Sequence, residues 1–320
     1  MALTRAAVLD LDPATYQRHA LHGEGCVWVE KNCYIDIWIE LVHALGLEPA
    51  AMLPFALAID FEGDQWTFCK PPHGELFELY GLDVQELNVW RPLLEHAQTH
   101  LAEGRLVSTE ADAFWLPDTA GTDYRQQHTK TTIVINELDV ANGRLGYFHN
   151  AAYHALCGED FAQTFRVGFA PDPAFMPLFA ETVRIERKAM RPADELRALS
   201  RGLLRRHLER RPATNPVTRF AAQFAGDLGR LQSEGLAFFH TWAFATVRQL
   251  GAAFELAGWH LRWLGGHEAA ALAFDRIADG AKAFILKAAR AVNAKRPLEG
   301  RLLDDMAAAW NDAMLALDAA

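Results

Sequence analysis

A chain of 320 residues, 51% hydrophobic and 22% charged, has enough apolar content for two buried cores and is too apolar to remain disordered. Its formal net charge of -10 argues against a nucleic-acid binder, which carries a basic stripe, and no apolar run reaches the length of a membrane span. Cysteines at 26, 33, 69 and 157 have neither CxxC spacing nor the density of a disulfide framework, so reduced thiols in a cytoplasmic protein are expected, with no metal site.

Taken in chain order, Met1–Arg18 lacks the apolar core of a secretory signal, so none is expected. The first clear element is a helix opening at Asn32 or Cys33. Ile35, Trp38, Ile39, Val42 and Leu45 form its apolar face, and Gly46 with Pro49 closes it. Asp60, Glu62 and Asp64 bracket Gly63 in an acidic turn. Glu86–Gly104 reads as a helix broken at Pro92, and Leu106–Leu116 as an extended stretch. Thr129–Ile135 and Leu145–Phe148 read as an antiparallel pair joined through Asn142-Gly143, a strong turn signal.

From about residue 192 the text turns to Ala, Leu, Arg and Glu at helical spacing. Five helices are expected: from Pro192 and Asp194 to Arg211, from Asn215-Pro216 to Gly235, from Leu236 to Leu264, from His267 to Ala294, and from Gly300 to Leu317. The basic run Arg201–Arg211 is a solvated helix face. The expected fold is α+β: residues 1–185 form a mixed first domain, and residues 186–320 form an all-α helical bundle.

The chemistry suggested by this layout centres on Cys33. At a helix N-terminus, unpaired backbone N–H groups and the positive end of the helix dipole favour a thiolate and can hold an oxyanion. His128 stands at the start of a strand. Asn150 ends the next, where hairpin pairing is expected to bring its amide to the imidazole and fix the tautomer. His149 competes for the inward place, since neighbours on a strand face opposite ways; Asn150 is taken as inward. Asp118 and Tyr124, in the loop leading to His128, are expected to bind substrate. Arg248 and Glu255, seven residues apart on one helix face within an apolar stretch, read either as a buried charge pair or as substrate-facing groups, Glu255 for an amine and Arg248 for a carrier phosphate or carboxylate.

Cysteine, then histidine at a strand start, then asparagine after the next strand is the order of papain-like folds. The stretches Trp28–Tyr34, Asp60–Phe68, Leu79–Gly81, Leu116–Tyr124, Tyr147–Asn150 and Phe244–Leu256 resemble the DUF1839 family over nearly the whole chain. More distantly, the layout is similar to the butirosin-biosynthesis acyltransferase group, in which a papain-like domain precedes a helical part. That resemblance implies transfer of an acyl or aminoacyl group from a carrier-protein thioester, on phosphopantetheine, to an amine acceptor through a Cys33 acyl-enzyme. It implies no bound cofactor of the chain's own. Papain-like proteases carry a glutamine six residues before the cysteine; here Val27 stands there, which leaves Asn32 or a backbone N–H as oxyanion donor. A peptidase or amidase, and a non-catalytic carrier-binding scaffold, remain as alternatives.

Overall fold

The computed structural model describes residues 5–170 and 178–319. The chain forms two compact units that interleave in sequence. The first comprises Met1–Ala20, Cys33–Leu47 and His73–Arg191; the second comprises Leu21–Asn32, Glu48–Pro72 and Pro192–Ala320. A cut between 185 and 186 therefore does not divide the packing. Two stretches from the N-terminal half, 21–32 and 48–72, pack with the C-terminal helices.

The first unit is α+β, built on a seven-stranded sheet. Its strands are β1 (Ala6–Ala7), β2 (Asp83–Glu86), β3 (Leu106–Asp112), β4 (Lys130–Asp139), β5 (Arg144–His149), β6 (Ala152–Cys157) and β7 (Ala180–Arg184). The spatial order is β2-β7-β3-β4-β5-β6, with β1 on the far end of β4, and every pairing is antiparallel. Its helices are α1 (Cys33–Ala44), α2 (His73–Tyr80), α3 (Leu93–Ala102) and α4 (Glu159–Phe165). Side chains alternate across each strand, so the sheet has two distinct faces. Val107, Ile133, Ile135, Tyr147 and Leu156 point to one face and form a core with Leu101 of α3 and Phe161 of α4. Ser108, Thr132, Val134 and Glu181 point to the other, where the first turn of α1 lies.

The β4–β5 hairpin falls where the alternation and the Asn-Gly step place it, with Leu138 opposite Leu145. The stretch 86–104 is not one helix. Asp83–Glu86 joins the sheet as β2, and α3 begins only after Pro92, whose ring cannot sit inside a helix.

The second unit gathers α5 (Ala193–Glu209), α6 (Pro216–Glu234), α7 (Leu236–Ala245), α8 (Val247–Leu264), α9 (Glu268–Asn293) and α10 (Arg301–Asp318). Asn215 caps α6 as its sequence suggests, its side-chain oxygen accepting from Val217 N at 2.9 Å and Thr218 N at 3.2 Å. The expected long helix from 236 to 264 is two helices. Thr246 between them has φ -119 and ψ -81, outside the helical range, and its hydroxyl donates to Trp242 O at 2.7 Å, a local bond that competes with the backbone ladder. The 3-10 segment Pro49–Ala58 packs into this unit. Ser200 Oγ donates to Ala51 O at 2.8 Å and His260 Nδ1 to Ala50 O at 2.9 Å, so two carbonyls of a Pro-containing, weakly self-bonded segment find buried donors. Among the described residues no helix is long and apolar enough to cross a membrane.

Candidate functional site

Cys33 is the first residue of α1 and is half-buried. Its Sγ lies 4.0 Å from Thr132 Oγ1 on β4. Glu110 stands opposite Thr132 in the strand register and holds Lys130 Nζ at 2.9 Å. Two residues along β3, Ser108 is 1% exposed, and its hydroxyl has no partner among the described residues. Ser108 is register-paired with Glu181 of β7. The next residue of α1, Tyr34, reaches that carboxylate: its hydroxyl is 3.0 Å from Glu181 Oε2 and 2.7 Å from Nε2 of His73, the first residue of α2. His73 Nε2 is itself 3.4 Å from Glu181 Oε1. Burial, reinforced by the Glu181 charge, pushes the Tyr34 phenol well above its ordinary range, so it stays a neutral donor. The first turn of α1 thus sets a thiol and a phenol side by side over a polar strip of the sheet.

His128 precedes β4 and is mostly exposed, its side chain at 70%. Its Nδ1 is 2.6 Å from Asp112 Oδ2, and its ring stacks on Phe114 with centroids 4.4 Å apart. The expected bond from Asn150 is not made, and the register explains why. Phe148 pairs with Val134, so Asn150 falls level with Thr132, four residues or roughly 13 Å along the strand from His128. A carboxylate, Asp112, orients this imidazole instead. Asn150 is the first residue of the two-residue turn between His149 and Ala152, where φ is 45; asparagine tolerates that left-handed conformation better than most residues. No hydrogen bond joins Cys33 to either residue among the described contacts; the sulfur meets Thr132.

His149 turns to the other face of the sheet. It is 1% exposed, with Nδ1 2.5 Å from Asp118 Oδ2 and Nε2 2.7 Å from Thr131 Oγ1. Tyr147 donates to Asp118 Oδ1 at 2.5 Å. Burial alone raises the Asp118 pKa. The bond and charge of His149, the charge of His154 and the Tyr147 hydroxyl outweigh it and hold the carboxyl below its ordinary value. Asp118, expected to bind substrate, therefore has both oxygens engaged inside the fold. Tyr124 is engaged likewise, donating to Asp160 Oδ2 at 3.0 Å, and Arg125 reaches the other oxygen of Asp160 at 2.6 Å. Alternation along β5 was the available signal for His149: Tyr147 and His149 share a face, and Asp118 lies in the loop that covers it.

A family model for the DUF1839 N-terminal domain matches residues 17–185, and one for the DUF1839 C-terminal domain matches residues 193–319. The chain belongs to the DUF1839 family. No curated protein matches it.

In the second unit of this DUF1839 chain the remaining expected site residues serve its own backbone. Asn32 Nδ2, expected as an oxyanion donor, donates instead to Cys69 O at 2.9 Å and to Gln249 Oε1 at 3.3 Å, which uses both amide hydrogens. Glu255 is buried and accepts from Val27 N at 2.6 Å and Trp28 N at 3.0 Å. Burial raises its pKa, against the pull of Lys31 and of those two N–H bonds. Arg248 donates to Glu30 O at 3.0 Å and lies over the Phe244 ring at 4.8 Å. Arg248 and Glu255 share a helix but not a partner. Among the described residues no cluster of three His, Cys, Asp or Glu side chains is placed to hold a metal ion.

Proposed function

We propose that this chain is a cysteine-dependent acyl or aminoacyl transferase whose first unit works as a papain-like domain. The reading rests on one observation: an accessible thiol on the first residue of a 12-residue helix seated across an antiparallel sheet, bonded to nothing stronger than a threonine hydroxyl. A cysteine opening a helix that lies on an antiparallel sheet supports the papain-like reading as an analogy of fold and site. Cys33 Sγ attacks the carbonyl of an acyl thioester on a carrier protein's phosphopantetheine. The pantetheine thiol leaves with a proton, and the acyl group remains on sulfur. An amine acceptor then attacks that thioester, forming an amide and returning the thiol. N–H groups in the first turn of α1 hold the oxyanion. The base is His128, oriented by Asp112 in place of Asn150, and substrate binding must carry the loop before β4 toward the sulfur.

A second reading has its own support. Asp112 and Phe114 hold His128 away from Cys33, as suits a domain that binds a carrier protein without turnover. Alkylation separates the two. Cys157 is exposed, Cys33 is half-buried, and Cys26 and Cys69 are buried. If access alone governs, Cys157 reacts first with iodoacetamide near pH 7.5. An activated nucleophile at Cys33 overtakes it despite poorer access, which peptide mass mapping reads directly. Incubation with an acyl-pantetheine thioester should add the acyl mass to the wild type and not to Cys33→Ala. An adduct that survives this change rejects Cys33 as the nucleophile. Release of that adduct by water alone marks a hydrolase; release by added amine marks a transferase.

A further inference from the structure

One cavity of the first unit has a chemistry unrelated to Cys33. It has a volume of about 310 Å³ and is lined by Gly81, Asp83, Arg105, Arg184, Glu186 and Arg187. It forms where β2 meets β7 and the chain enters β3. Asp83 pairs with Arg184 across the β2–β7 ladder. The chain then turns after β7, with Lys188 N donating to Ile185 O, and returns to bond Ala189 N to Tyr80 O. Gly81 has φ 71, and a Cβ there would overlap the Arg187 carbonyl, so only glycine lets the turn close so tightly. The cavity lies five residues along β3 from Glu110, roughly 17 Å from the level at which Cys33 meets the sheet.

The charges do not cancel. Arg105 Nε is bonded to Glu186 at 2.8 Å, and Arg184 Nη1 to Asp83 at 3.1 Å. Arg187 makes no hydrogen bond or ion pair with any described residue. Arg184 Nε is buried and also lacks an acceptor. A protein with a net charge of -10 therefore keeps, in a concave site lined by three arginines and two carboxylates, an exposed Arg187 guanidinium that no carboxylate bonds, its charge acting on nearby Asp83. Guanidinium forks bind oxyanions through paired N–H bonds. The volume is several times that of an oxyanion alone, so room remains for the body of a small molecule.

We infer that this cavity binds a small metabolite through a phosphate or carboxylate group held by Arg187, beside the positive charges of Arg105 and Arg184. Isothermal titration of the full chain with inorganic phosphate and with acetate, at matched ionic strength, tests this. At least one anion should bind saturably, and the stronger of the two identifies the class. Arg187→Ala should weaken that binding at least tenfold. Lys287→Ala, an equal charge change on an exposed helix position, should leave it within twofold. Should Arg187→Ala fail to fold, Arg187→Lys and protection of Arg187 from phenylglyoxal by the same anion in the wild type give the same reading. Absence of saturable binding by either anion, or equal loss in the Arg187 and Lys287 variants, overturns the assignment.

Discussion

Acid should destabilise the second unit through one side chain, His260. It is fully buried in α8. Its Nδ1–H must be the donor to Ala50 O, and its Nε2 has no partner among the described residues, so the ring is built in as a neutral imidazole. Burial depresses its pKa from 6.5 to about 4. The Ala50 bond opposes that fall, while the nearby His267 and His207 add to it. As the pH drops through 6.5 the unfolded chain takes up a proton that the folded chain refuses, so stability declines until the folded ring protonates near pH 4. Between pH 7 and pH 5 the drop covers about 1.5 pH units below 6.5, which at about 1.4 kcal/mol per unit is roughly 2 kcal/mol. His260→Asn retains a donor for Ala50 and cannot titrate. Urea unfolding at both pH values, followed by tryptophan fluorescence, should show the wild type losing about 2 kcal/mol more than the variant. Equal losses in the two proteins would mean that the unfolded and folded states bind this proton alike, and the reasoning from burial would be refuted.

Three other outcomes follow from the first unit. Asp118→Ala strips Tyr147 and His149 of a buried carboxylate and should cost about 3–5 kcal/mol at neutral pH. Because the Asp118 carboxyl sits below its ordinary pKa, that difference should persist down through the usual carboxylate range and vanish only at still lower pH, as chemical denaturation against pH will show. Gly146→Ala places a methyl group onto the Tyr153 hydroxyl and against Glu137 Cβ, so it should cost about 1–3 kcal/mol, much of it recovered in a Tyr153→Phe background measured by thermal melting. Thr132→His sets an imidazole where a hydroxyl now meets Cys33, so alkylation of Cys33 should quicken about tenfold; an unchanged rate in a folded variant means that the thiol gains nothing from a neighbouring base.

Elements governed by local rules were legible in the sequence. The helix from Cys33 to Ala44, its stop at Gly46, the β4–β5 hairpin and the Asn215 cap all follow from periodicity, turn residues and capping chemistry. What escaped depends on partners distant in sequence. Nothing local marks 21–32 and 48–72 as belonging with the C-terminal helices: Glu255 is 228 residues from the Val27 N–H it accepts. Asp83–Glu86 becomes a strand because β7 pairs with it almost a hundred residues later. The break at Thr246 depends on a single side-chain bond inside an otherwise helical pattern.

The candidate site shows the same division at higher resolution. Sequence order can bring two strands together, but only register decides which residues stand level. A shift of four residues separates His128 from Asn150, and a shift of one sends His149 to the opposite face. Register here is set by burial on both faces. Phe148 packs near Tyr16 while Tyr147 and Leu145 enter the core beneath α3 and α4, so a slip of one residue would exchange the two sets and strand the His149–Asp118 pair. The bulge between Ile135 and Glu137 absorbs the extra residue at the far end of the hairpin, where Glu137 meets Arg5 and Gly146 makes room for Tyr153. The same constraint fixes Thr132 beneath the sulfur and holds His128 at the head of the strand, beside Asp112. On the proposed reading, His128 would reach Cys33 only through movement of the loop before β4, because the hairpin cannot shift to supply the imidazole without unburying both of its faces.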